Sequence, residues 1–251
     1  GGLRASGRPA DSILVVDPGE AQREKLRAEH GVRTFAAADA ALATASVVVW
    51  AVKPQLFQAA AAPCAAHIGG ALQLSVMAGI RSEAIARATG SQRVVRSMPN
   101  TPALIGQGIA GLYAREAVSA AEKATAEALL APTGRTLWVA REEDLDAVTA
   151  LSGSGPAYVF YFVEAMMQAA QEMGLSAEQG KQLALATFAG ATSLAQASSE
   201  PPEVLRERVT SKGGTTYAAL TSLEASGVKA AFVKALKAAQ QRARELGDEF
   251  G

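Results

Sequence analysis

The stretch Thr210-Ser211-Lys212-Gly213-Gly214-Thr215-Thr216 carries the residue types that seat a small anion on a backbone. Adjacent glycines allow a tight turn and a close approach of N–H groups to a ligand, while Thr215, Thr216, Tyr217 and Ala218 begin a helical pattern whose first amides lack intrahelical partners. Such an end attracts carboxylates and phosphates. The same residues also make an ordinary capped helix start. A second stretch, Leu151-Ser152-Gly153-Ser154-Gly155-Pro156-Ala157-Tyr158, has a similar pattern, with Ser154 placed to cap a helix and Pro156 in its first turn. Two polar, glycine-rich helix starts in one Ala-rich half suggest backbone donors that converge on a ligand.

Further polar residues follow apolar runs. Asp17-Pro18-Gly19 comes after Ile13–Val16, and Ala51-Val52-Lys53-Pro54 closes the run that begins at Val47. Lys53 can reach a ribose hydroxyl or a phosphate, or stay a solvated lysine, and Pro54 can open the next helix. In Met98-Pro99-Asn100-Thr101-Pro102, two prolines hold an Asn-Thr pair in a rigid loop, as a positioned polar contact requires. The sequence has no Ser-His-Asp arrangement, no Cys-x-x-Cys and no GxxxxGK[ST] loop, and Cys64, His30 and His67 make no metal set. The chemistry must then come from a cofactor, or be absent. Hydride transfer suits this inventory, because the nicotinamide carries the reaction and the protein binds and orients.

The elements that must position these residues divide into two halves. From Ile13 to about Val139, the runs Ile13–Val16, Val47–Val52, Leu72–Val76, Arg93–Arg96 and Thr136–Val139 alternate with helical patterns such as Glu20–His30. That is the grammar of a parallel sheet covered on both faces, a doubly wound α/β domain whose ligand lies at the carboxyl ends of its strands. Beyond Glu142 helical periodicity takes over, in Val159–Met173, Ala177–Ala197, Pro202–Arg208, Thr215–Ala225 and Val228–Leu246. Residues 1–141 are thus expected to form the Rossmann-like domain and residues 142–251 an all-helical one. The first of these helices is apolar around much of its circumference, through Val159, Phe160, Phe162, Val163, Met166 and Met167. It needs more cover than about 110 residues provide, so an oligomer assembled through this half is expected.

With 251 residues, 49% of them hydrophobic, the chain can bury a large core. Its 24 basic and 24 acidic residues leave no field to steer nucleic acid, and no apolar run reaches the roughly 20 residues that span a bilayer. A single cysteine excludes an internal disulfide, so a soluble protein of a reducing compartment, the cytoplasm, is expected. Cys64 reads as a small packing residue.

Taken together, Ala51–Pro54, Met98–Pro102, Asp146-Ala147-Val148-Thr149 with Leu151–Tyr158, and Val209–Thr216 resemble pyrroline-5-carboxylate reductases, in the order of that family and over nearly the whole chain. The resemblance implies reduction of 1-pyrroline-5-carboxylate to L-proline by NADPH or NADH, the last step of proline biosynthesis. It implies a Rossmann domain followed by helices that interlock with a second subunit. It also implies that Ser152, Gly153, Ser154, Gly213, Gly214, Thr215 and Thr216 bind the substrate. In this scheme amides of Gly214–Thr216 hold the carboxylate, and the Thr216 hydroxyl lies beside the ring nitrogen. Asp17, Ala51, Val52, Lys53, Pro54, Met98, Asn100 and Thr101 would then serve the cofactor.

Three departures accompany the resemblance. The family opens with a strand and a G-x-G-x-x-G-type loop, whereas Gly1-Gly2-Leu3 reads as the end of the helix that follows them, so this stretch of chain is expected to bind dinucleotide poorly. Asp17 stands where NADP-using members carry small hydroxyl or amide residues, which suggests NADH, with Arg23 a neighbouring counterweight. Lys212 replaces a common proline. Two rival readings remain at this point: a reductase of 2-hydroxy or 2-keto acids on the same scaffold, and a non-catalytic oligomeric homologue without cofactor binding.

Overall fold

A computed structural model describes residues 1–250 and resolves into two compact units, Gly1–Ser154 together with the chain from Ala239 on, and Gly155–Ala238. In the first unit the strands are β1 (Leu14–Val16), β2 (Arg33–Phe35), β3 (Val47–Trp50), β4 (Leu72–Ser75), β5 (Val94–Met98), β6 (Gly108–Ala114) and β7 (Gly134–Trp138). Between them run α1 (Gly2–Ala5), α2 (Glu20–His30), α3 (Phe57–Ala61), α4 (Ala65–Ile68), α5 (Ser82–Thr89) and α6 (Ala120–Leu130), and α7 (Asp144–Val148) follows β7. The second unit holds α8 (Gly155–Glu172), α9 (Ala177–Ala197), α10 (Pro202–Arg208) and α11 (Thr215–Ala225), and α12 (Val228–Phe250) begins there.

Strands β3 to β7 form one sheet in sequence order, parallel throughout except for the antiparallel β5–β6 pair. Its two faces are covered separately. Leu72, Leu74 and Val95 pack with Val118 and Ala126 on one side, while Val94, Phe57, Ile68 and Ile85 belong to a second cluster that also takes up Phe250. Burial on both faces is why these strands read as unbroken apolar runs. Gln73 is fully buried in β4 and fully paired: its Oε1 accepts from Trp50 Nε1 at 2.9 Å, and its Nε2 donates to the carbonyls of Ile68 and Ala71.

Two strands are not visible as apolar runs. β6 is Gly108-Ile109-Ala110-Gly111-Leu112-Tyr113-Ala114, whose small residues make room for α7: a Cβ on Gly111 would lie 2.7 Å from Val148 Cγ1. β2 is the short Arg33-Thr34-Phe35, paired only with β1. β1 in turn pairs only with β2, and β3 only with β4. An apolar cavity of about 270 Å3 is lined by residues that include Ile13, Val15, Leu26, Val49 and Leu74.

In the second unit, α9, α10 and α11 coincide with the expected spans, α8 starts earlier than expected and α12 runs on to Phe250. α9 opens with a capping box between Ser176 and Gln179, and crosses α8 closely enough that a Cβ on Gly180 would lie 2.9 Å from Ala170 Cβ. Phe232 makes edge-to-face contacts with Tyr158 and Phe162. Compactness changes at Gly155, whereas the expected domain division falls at residue 142; α7 and the turn after it stay with the sheet.

Candidate active site

In the second unit, Gly213 has φ of 77°, the left-handed region that glycine enters without steric cost, and Gly214 is extended and caps α11. The first amide of the helix to find a carbonyl is that of Ala218, which donates to Gly214 O at 3.1 Å. Ahead of it, the amides of Thr215, Thr216 and Tyr217 have no acceptor among the described residues, and no side chain there caps them. Three aligned donors at the positive end of an 11-residue helix have the chemistry to receive a carboxylate. Thr216 is half-buried, whereas Thr215 and Lys212 are exposed. Thr210 stays outside this row, its hydroxyl donating to Arg206 O.

In the other serine-glycine stretch a helix starts after Ser154 as expected, but a further turn precedes it. Thr149–Gly153 forms a π-helical turn that continues α7, and α8 begins at Gly155. The Ser154 amide donates to the Thr149 carbonyl at 2.8 Å, so it is not a free donor as a capped start would provide. Single π-turns within a helical run widen the coil by one residue and are frequent at functional sites. Ser152, Gly153 and Ser154 are all part-exposed on this turn.

Loop Met98–Thr101 meets the π-turn directly. Asn100 Oδ1 accepts from the Ile109 amide at 3.0 Å and its Nδ2 donates to Ser152 Oγ at 3.1 Å. Met98 packs on Gly153 so closely that a Cβ there would fall 2.6 Å from the methionine Cε. Thr101 opens a short 3-10 turn with Pro102 in its second position, so the two prolines fix this loop as expected.

Asp17 follows β1 and Lys53 follows β3. Asp17 Oδ1 accepts from the Gly19 amide at 2.7 Å, which leaves its other carboxylate oxygen free of protein partners. The Arg23 guanidinium donates to the carbonyls of Asp17 and Pro18, both at 2.8 Å. Lys53 is exposed at the start of the 3-10 turn Pro54–Leu56, with Ala51 and Val52 before it. The donor set suits a nicotinamide dinucleotide across strand ends: a carboxylate for ribose hydroxyls, a lysine for a phosphate or ribose, and an apolar methionine with an Asn-Thr pair.

Beneath the loop and the π-turn lies a charged network that sequence reasoning missed. Glu142 accepts from the Ser82 amide at 2.6 Å, from the Ser82 hydroxyl at 2.5 Å and from Arg96 at 2.7 Å. Arg81 holds Asp146 of α7 through both guanidinium nitrogens, at 3.2 and 3.1 Å. Arg96 and Asp146 are each only 5% exposed, so these pairs anchor the start of α7 to β5 and α5 from inside. The signal in the sequence was a charge inside an apolar strand, Val94-Val95-Arg96. Cys64 is buried, donates to Ala60 O, and burial pushes its thiol above the usual range, as suits a packing residue.

Comparisons with known proteins identify relatives of this chain. Residues 142–246 match the family model for pyrroline-5-carboxylate reductase dimerisation, and residues 1–79 match that for NADP oxidoreductase, coenzyme F420-dependent. The chain is 45% identical to a pyrroline-5-carboxylate reductase of Pseudomonas aeruginosa, over 100% of this chain and 93% of that one. It is 38% identical to the Haemophilus influenzae protein of the same name, over 99% and 93%. Among solved structures, that of the Coxiella burnetii pyrroline-5-carboxylate reductase superposes with a TM-score of 0.91 at 35% identity, covering 98% of this chain and 92% of that one. The Plasmodium falciparum pyrroline carboxylate reductase, solved with NADP bound, gives 0.86 at 26% identity over 98% and 92%.

Proposed function

The chain belongs to the pyrroline-5-carboxylate reductase family, and from that premise we propose that it reduces 1-pyrroline-5-carboxylate to L-proline at the groups described above. It is an oxidoreductase of proline biosynthesis that works with NAD(P)H. The observation that carries the assignment of the site is the row of unpartnered amides at Thr215, Thr216 and Tyr217 behind the left-handed Gly213. In this reading they hold the substrate carboxylate, which fixes the ring, and the Thr216 hydroxyl hydrogen-bonds the ring nitrogen. Ser152, Gly153 and Ser154 complete the substrate side. Asp17 takes ribose hydroxyls, Ala51–Pro54 lie along the dinucleotide, and Met98, Asn100 and Thr101 border the nicotinamide.

When bound, the dinucleotide supplies the hydride. The protonated imine carbon accepts it, and the π-electron pair of the C=N bond returns to nitrogen, so the product is a secondary amine with no covalent enzyme intermediate. The chain's own residues then have to orient the ring and exclude water rather than act as strong acids. Residues 1–141 serve the cofactor and residues 142–251 the substrate and self-association, with the cytoplasm as the place of action. The test is Thr216→Ala and Thr216→Val. Loss of the hydroxyl lowers kcat/KM by about 10–1000-fold in both, and an unchanged rate in steady-state assays removes Thr216 from the mechanism.

A further inference from the structure

The direction of hydrogen bonding around Asn100 determines what Ser152 can offer a ligand. A carboxamide side chain has one accepting end and one donating end. The Ile109 amide can only donate, so the end that faces it at 3.0 Å is Oδ1, and the end that faces Ser152 at 3.1 Å is the donor Nδ2. Ser152 Oγ is therefore an acceptor toward Asn100. Its own proton makes no other hydrogen bond among the described residues. Both residues are only part-buried, and Ser152 lies on the π-turn.

We propose that Asn100 is a positioning residue which, by donating to Ser152 Oγ, commits the Ser152 hydroxyl to donating its proton to an acceptor oxygen of the bound ligand. This rests on the reading of Ser152 as a ligand-binding residue. Two ligand oxygens have the required chemistry, one on the imino-acid carboxylate and one on the nicotinamide carboxamide. The backbone of β6 takes part as well, because the Ile109 amide is what prevents Asn100 from turning over.

The decisive variant is Asn100→Asp in the full chain. It keeps the acceptor for the Ile109 amide and nearly the same shape, but presents a second acceptor to Ser152, which draws the serine proton inward. At neutral pH, kcat/KM falls about 10–100-fold while thermal stability stays close to that of the unmodified chain. Ser152→Ala shows a similar loss, and the combined variant is no worse than Ser152→Ala alone, since Asn100 acts through that hydroxyl. Activity of N100D recovers toward acid pH, where the protonated carboxyl donates to Ser152 again.

Calorimetric binding separates the two ligand sources. If the acceptor is the carboxamide, NAD+ or NADP+ binds about tenfold more weakly to both single variants; if it is the carboxylate, L-proline loses affinity and the dinucleotide does not. Full activity and affinity in N100D with an impaired S152A overturns the relay and leaves the role of Ser152 intact. Additive losses overturn it as well. Unchanged activity and binding in S152A removes Ser152 from the site altogether. Should N100D fail to fold, Asn100→Ala in the same cycle against S152A measures the same coupling.

Discussion

Glu142 is the residue on which the frame beneath the candidate site depends. Burial alone would raise its pKa, but the Ser82 hydroxyl, the Arg96 charge and the Ser82 amide together hold it below the usual glutamate range. A depressed folded pKa contributes stability that is present above the unfolded value of about 4.3 and is lost as pH falls through the folded one. The unmodified chain should therefore lose stability below about pH 4 more steeply than Glu142→Gln, in thermal unfolding followed across pH. At neutral pH the same substitution should cost about 3 kcal/mol, because Arg96 stays buried without a counter-charge. None of this was legible, since the partners lie 46 and 60 residues apart. Asn100 was legible as a fixed polar contact because its prolines are adjacent, though its partners were not. At Asp17 one carboxylate oxygen accepts from the Gly19 amide and Arg23 is engaged by the carbonyls of Asp17 and Pro18, so a role for Asp17 in cofactor choice is testable. Asp17→Ser should shift the ratio of kcat/KM for NADH over NADPH downward by about tenfold, and an unmoved ratio would remove Asp17 from cofactor choice.

At the scale of elements, the instructive difference is the π-turn. Ser154, Gly155 and Pro156 read as the opening of a helix because they carry a cap and a residue without an N–H, both typical of a first turn. Gly155 and Pro156 do open α8, but the π-turn before them continues α7, whose five residues are too few for a periodic signal. What fixes α7 is Arg81 and the small Gly111, both distant in sequence. β6 escaped notice for a related reason, since the glycines that accommodate α7 erase its strand pattern. The long helices of the second unit were legible to the residue at several ends, where caps, Pro and Gly are local. The tight contact of Gly153 with Met98 gives an element-level prediction. Gly153→Ala should lower stability by under about 1 kcal/mol, because the methionine end can yield. It should nonetheless raise KM for the dinucleotide about tenfold if Met98, proposed to border the nicotinamide, has moved. Tm and KM measured on the same preparation distinguish this from general unfolding.

At the scale of the molecule, the second unit displays apolar side chains that its own helices do not cover. Phe160 is 58% exposed, Tyr161 69% and Leu194 61%, alongside Met173 and Leu183. An exposed set of that size marks an association surface, and the stretch falls within the match to the dimerisation model. Phe160→Glu combined with Leu194→Glu should reduce the mass measured by light scattering to that of one chain and abolish most activity. An unchanged mass would place the interface elsewhere.

Helix α12 begins in the second unit, yet from Ala239 on it belongs to the first. There Gly247 receives the Arg81 side chain against its backbone, Gly79 lies against the Leu246 carbonyl, and Phe250 joins the cluster around Phe57 and Ile85. During synthesis the sheet strands leave the ribosome before α8 to α11, and the turns that complete their core leave after them. The sheet unit is thus the later of the two to be finished in time, and its open cluster must wait through the making of four intervening helices, α8 to α11.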